Sequence, residues 1–210
     1  MGTFALLAAT SGLVLAFAFV AGVPWGLDGG AVRAQARLAP VDPSIGVYLA
    51  PLGPVPPAIA TDLITYFRSK LGLTITLLSP TSVEPAAMDR ERVQVVAEEL
   101  ASSLRRLPQH GRHLLIGLTA YDMYIRGYPW EWAFAYRDGQ RVVVVSTARM
   151  DESNWGMPAA PDRLRARLRK MVAKNLGLMY YGLKQTSDRR SVLFGPILGL
   201  DDLDAIGEDF

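Results

Sequence analysis

Lys174-Asn175-Leu176-Gly177-Leu178-Met179-Tyr180-Tyr181-Gly182-Leu183-Lys184 closes a long amphipathic segment. Pro161-Asp162 opens it, and the pattern predicts a helix running to about Tyr181. Leu164, Leu168, Met171, Val172, Asn175 and Met179 share one face, so Asn175 is the single polar group in an apolar stripe. Arg163, Arg167, Lys170 and Lys174 recur at i, i+4, i+7 and i+11 on another face. Such a basic stripe can meet anionic lipid or an acidic subunit. It can also pair with the chain's own end, Gly199 to Phe210, which holds five carboxylates and no basic residue. A solvated face, or that internal pairing, is the simpler expectation. The carboxylate spacing of that tail fits no calcium loop.

Working outward, Ile45 to Leu49 reads as a buried strand, followed by a proline-rich loop from Pro51 to Pro57. Ala58 to Leu71 carries a helical stripe ended by Gly72, and Leu73 to Leu78 is a second strand. A helix is expected from Asp89 to Arg106 with Asp89 as its N-cap. His113 to Leu118, Trp130 to Tyr136 and Arg141 to Ser146 read as strands, the last two joined at Asp138-Gly139 as a hairpin. The order implies an α/β fold with a mixed, mostly parallel sheet and one antiparallel strand.

Several blocks resemble one family. Leu115-Ile116-Gly117-Leu118-Thr119, Asp122-Met123-Tyr124, Phe134-Ala135 and Val144-Val145-Ser146-Thr147-Ala148-Arg149-Met150 are similar to the strands that precede the active helix of archaemetzincins, zinc peptidases of the metzincin clan. Arg167 to Lys184 resembles that helix, whose pattern is H-E-x-x-H-x-x-G-x-x-H. The resemblance spans roughly Ile45 to Phe210 and implies a metzincin-like fold. In that register Lys174, Leu178 and Lys184 stand where the three zinc ligands belong. Asn175 stands where the glutamate base belongs, Tyr181 at the glycine, and Leu193 near the methionine expected beneath the metal.

A protonated lysine has no lone pair, leucine has no ligand atom, and asparagine cannot take a proton from water as a carboxylate does. The chain has only two histidines, His110 and His113, too few for a three-histidine site. His110, in a turn, and His113, at a strand start, read as structural residues. From these departures the expectation is a degenerate zinc site, no cofactor, and no zinc peptidase activity. A non-catalytic, membrane-anchored accessory subunit of a membrane protein assembly follows. The alternatives are an exported hydrolase with an unrecognised site and a soluble periplasmic peptide-binding protein.

Composition bounds the rest. The net charge of +2 supplies no field for nucleic acid, and the absence of cysteine removes disulfides and thiolate metal sites. Residues 1–23 include an uncharged run, Thr3 to Val23, long enough to cross a bilayer. It reads as an N-terminal transmembrane helix, with a cleaved signal peptide as the rival, given Ala34-Gln35-Ala36. Thr10, Ser11 and Gly12 would admit a neighbouring helix. Residues 24–43 read as a linker and 44–210 as the globular domain, single-pass anchored and extracytoplasmic. Tyr124, Tyr128, Trp130 and Trp132 cluster in one stretch and are the candidate partner surface.

Overall fold

The computed structural model describes residues 38–210. The apolar run expected to be a transmembrane helix lies outside them. Among the described residues, no helix is long and apolar enough to cross a membrane.

Five strands form the main sheet: β1 (Val47–Leu52), β2 (Ile75–Leu77), β5 (Leu114–Thr119), β7 (Ala135–Asp138) and β8 (Val142–Ser146), in the order β2-β1-β5-β8-β7. All pairs are parallel except β7 with β8. The hairpin turns at Gly139, whose φ of 63° is the left-handed conformation expected of that sequence. Alternation along the strands sorts the core into two clusters. Val47, Leu49, Ile116, Leu118, Val143 and Val145 face one side; Ala50, Leu52, Leu115, Val142 and Val144 face the other. Helices α1 (Pro57–Leu71) and α3 (Pro161–Met179) bury their stripes on the first side, and α2 (Ala97–Arg105) covers the second. At Gly117 a Cβ would meet Leu104 Cδ1 at 2.8 Å, so glycine is what lets α2 sit this close to the sheet.

The helix expected from Asp89 is shorter than the pattern suggested. Asp89 accepts from the Glu91 and Arg92 backbone amides, which starts a turn rather than a helix. β3 (Met88–Asp89) and β4 (Gln94–Val96) flank that turn and join β6 (Met123–Tyr124) in a second, three-stranded sheet. The strand expected over Trp130–Tyr136 also moves, because Trp130 to Phe134 form a loop and pairing begins at Ala135. β1 runs further than expected, through Pro51 to Leu52; the Pro51 carbonyl still accepts from the Thr81 amide at 3.0 Å.

The basic stripe of α3 is absorbed internally. Arg167 is 3% exposed; it grips Asp204 of α4 (Leu200–Ala205) through two bonds of 2.7 and 2.6 Å and donates to the Met150 carbonyl at 2.9 Å. Glu152 lies 3.4 Å from Arg167 and 2.8 Å from Arg163. Lys170 donates to the carbonyls of Leu203 and Asp204. The hydrogen bond from Arg167 holds the Asp204 carboxyl below its ordinary pKa. That stabilisation is present above the unfolded carboxylate value, near 4, and is lost as pH falls through the lower folded value. Replacing Asp204 by alanine leaves the buried guanidinium with only the Met150 carbonyl and Glu152, at 3.4 Å, among the described residues. Breaking a fully buried pair costs about 3–5 kcal/mol, and the partial exposure of Asp204 reduces this to about 2 kcal/mol. Urea unfolding at pH 7 should show that loss, and the difference from the unsubstituted chain should shrink below about pH 4.

Candidate functional site

Between β7, α3 and the segment after Phe194 lies a cleft of about 550 Å³. Its elements follow from local sequence. β7 is the last strand of its sheet, so its outer edge has no strand partner among the described residues. Phe134 accepts from Ser146 on the β8 side. By the alternation of an antiparallel ladder, the peptide groups of Ala135 and Arg137 therefore point outward. The Trp130–Phe134 loop forms the upper wall. Tyr128 and Trp130 stack on each other with centroids 5.0 Å apart, and both are more than half exposed. Trp132 is partly buried, edge-on to Phe134 at 4.7 Å. Tyr124 does not join them at the cleft; it is half-buried and its hydroxyl donates to Asp89.

The aromatic wall is braced from behind. Asp122 pairs with Arg149 and also accepts from Gln94 at 2.8 Å. The Arg149 guanidinium lies over the rings of Trp155 and Trp132 at 4.7 and 5.6 Å. Gln94 and Arg92 both donate to the Glu131 carbonyl, which ties the loop to the small sheet.

The floor is α3. Lys174 is 7% exposed, lines the cleft, and donates to the Phe194 carbonyl. Burial, with help from the nearby charge of Arg137, pulls its pKa down from 10.5 to about 8. Asn175 is buried; its amide donates to Met171 one turn back at 2.8 Å, and its oxygen accepts from Arg137 at 3.2 Å. Arg137 is exposed as a residue, yet desolvation of its guanidinium lowers its pKa. Gly177 admits Leu193 and Phe210, whose carbons would stand 2.7 Å from a Cβ there. Leu178 is half-buried and Lys184 exposed, and neither lines the cleft. The helix ends at Met179, and Gly182, at φ 64°, turns the chain away.

Of the three positions that the resemblance puts at the metal, the structure thus brings only Lys174 to the cleft. These residues do not fit a zinc ion. The Lys174 ammonium is spent as a donor on a carbonyl, Leu178 offers no ligand atom, and both polar ends of Asn175 are bonded. Sequence reasoning did not single out Arg137 or Gln185 on this cleft. Arg137 had a signal, as a cation on a strand next to a hairpin; Gln185 had none.

Lys174 carries a burial cost that packing does not require. Lys174→Met should raise stability at pH 7 by about 1–2 kcal/mol, the relief of a depressed pKa less the lost bond to Phe194. The unsubstituted folded chain binds fewer protons than the unfolded one between about pH 8 and 10.5, so its stability rises over that window. The advantage of the variant should fade across it in paired denaturation curves.

No family model matches the chain. It is 26% identical over 153 residues to an archaemetzincin of Haloquadratum walsbyi, covering 71% of this chain and 87% of that protein. It is 29% identical over 154 residues to an archaemetzincin of Halobacterium salinarum, with the same coverage. A zinc-dependent peptidase from Methanocorpusculum labreanum superposes with a TM-score of 0.68 at 20% identity, covering 79% of this chain and 95% of that one. The archaemetzincin from Archaeoglobus fulgidus, complexed with malonate, gives 0.64 at 21% identity over 79% and 95%. These matches overturn the expectation that the chain is not an enzyme. That expectation weighed a few positions of one helix, whereas the likeness to proteins named as peptidases runs through most of the chain. The fold is archaemetzincin-like: mixed α/β on a mostly parallel sheet.

Proposed function

We propose that the chain acts on peptides, taking an extended segment along the outer edge of β7 and across the floor at Lys174. One observation carries this reading: a strand edge with no strand partner among the described residues forms a wall of a cleft of about 550 Å³. A free edge adds a strand by main-chain hydrogen bonding, and the pockets beside it read alternate side chains. Ala135 and Arg137 present their outward peptide groups to such a segment, and Tyr128 and Trp130 offer flat apolar surface to its side chains. The peptidase names of the relatives support action on peptides. Because the helix residues do not fit zinc, the chemistry is not routed through a metal. Lys174 is the group on the floor whose lowered pKa lets it exchange a proton near neutrality.

The apolar run Thr3 to Val23 supports a further part of the proposal, that the chain is membrane-anchored. Recovery of the full chain in the detergent-extracted fraction is the expected outcome; full recovery in buffer alone would overturn it.

The test of the peptide reading uses the full chain and fluorescein-labelled hexapeptide pools, with anisotropy for binding and mass spectrometry for new peptide termini. Binding and slow appearance of cleaved products are expected. Ala135→Pro removes one outward N–H at a strand edge, where proline is tolerated. It should weaken binding at least tenfold while the circular dichroism spectrum stays native. Absence of binding by every pool, or unchanged binding by this variant, would overturn the reading.

A further inference from the structure

The cleft floor brings two cations together without a salt-bridge partner among the described residues. Three arginines elsewhere are paired with carboxylates, Arg149 with Asp122, Arg167 with Asp204 and Arg169 with Asp62, while Arg141 donates to the Gly111 carbonyl. On the floor, two cations face one space. Lys174 is held by the Phe194 carbonyl, and Arg137 is held by Asn175. Among the described residues, no carboxylate contributes to the electrostatics of either group. Glu131 is the one carboxylate residue lining the cleft, and its charge acts on Arg149 instead.

A third donor converges on the same place. A Cβ built on Gly195 would stand 1.9 Å from Gln185 Nε2 and 3.1 Å from Lys174 Nζ. The bare glycine is what leaves room for both side chains beside it. Lysine and arginine bring only donors, and the Gln185 amide, which also lines the cleft, can present its NH2 as a further donor. Two like charges in a partly desolvated cleft repel, and a single anion placed between them removes that penalty while gaining charge-assisted hydrogen bonds.

We infer that this floor is an anion seat: Lys174, Arg137 and Gln185 together take one carboxylate of the peptide bound along β7. The inference rests on the peptide reading above and adds a substrate class, acidic peptides. The carboxylate belongs either to an Asp or Glu side chain or to the peptide's own C-terminus.

Three sets of labelled hexapeptides separate the possibilities on the full chain. One set carries Glu at each position in turn with an amidated C-terminus. One is neutral with Gln at the same positions and amidated. One is the neutral set with a free C-terminal carboxylate. At least one acidic set should bind ten times more tightly than the neutral set, and which one does identifies the source. Arg137→Gln and Lys174→Met should each collapse that ratio to under threefold. Arg137→Glu should reverse it in favour of the neutral set. Arg137 is surface-exposed, and circular dichroism checks that its variants keep the fold. Equal binding of neutral and acidic sets, or a ratio that survives both substitutions, overturns the anion seat and leaves the peptide reading standing. Failure of all sets to bind overturns both.

Discussion

The domain depends on one buried guanidinium. Arg167 leaves the middle of α3, reaches the Met150 carbonyl just beyond the end of β8, and closes on Asp204 of α4. Without that grip the helix would keep its apolar stripe against the sheet but lose its angular reference. The stripe alone tolerates sliding, because Leu168, Met171, Val172 and Leu176 all meet aliphatic neighbours. The bidentate pair does not slide. It sets where the next turn of α3 stands, and therefore where Lys174 enters the cleft.

A second brace acts on the opposite wall. Asp122, Arg149, Gln94 and the Glu131 carbonyl tie the aromatic loop to the small sheet. The Arg149 guanidinium fills the space between two tryptophans that could otherwise collapse. Floor and wall are thus positioned by separate polar networks on separate elements. A change in one can be made without dismantling the other, since distant sites add nearly independently.

The large periodic features were legible in the sequence. The helix from Pro161, the Asp138-Gly139 hairpin and the parallel strands follow from 3.6- and 2-residue patterns and from glycine. The acidic tail pairs with the basic helix, as its charge balance suggested. The short β3–β6 sheet was not legible, because two- and three-residue strands carry too little periodicity to separate from a helix start, and Asp89 suits either a cap or a turn. The cleft was half legible. The degenerate helix pointed to Lys174 and Asn175, whereas Leu178 is half-buried and does not line the cleft. The convergence of Arg137, Gln185 and Gly195 arises from three distant segments and exists only in the folded chain. Reading inactivity from the helix alone gave too much weight to one motif and too little to the fold around it.

The depressed lysine also has a consequence for reactivity. An ordinary lysine near 10.5 is a free amine in about one molecule in three thousand at pH 7; with a pKa of about 8, about one Lys174 in ten is. The free amine is the nucleophilic form. Lining the cleft, that amine can form an imine with a small anionic aldehyde or be acylated by an activated carboxylic ester. Such reagents would mark one residue in a protein that holds no thiol to compete.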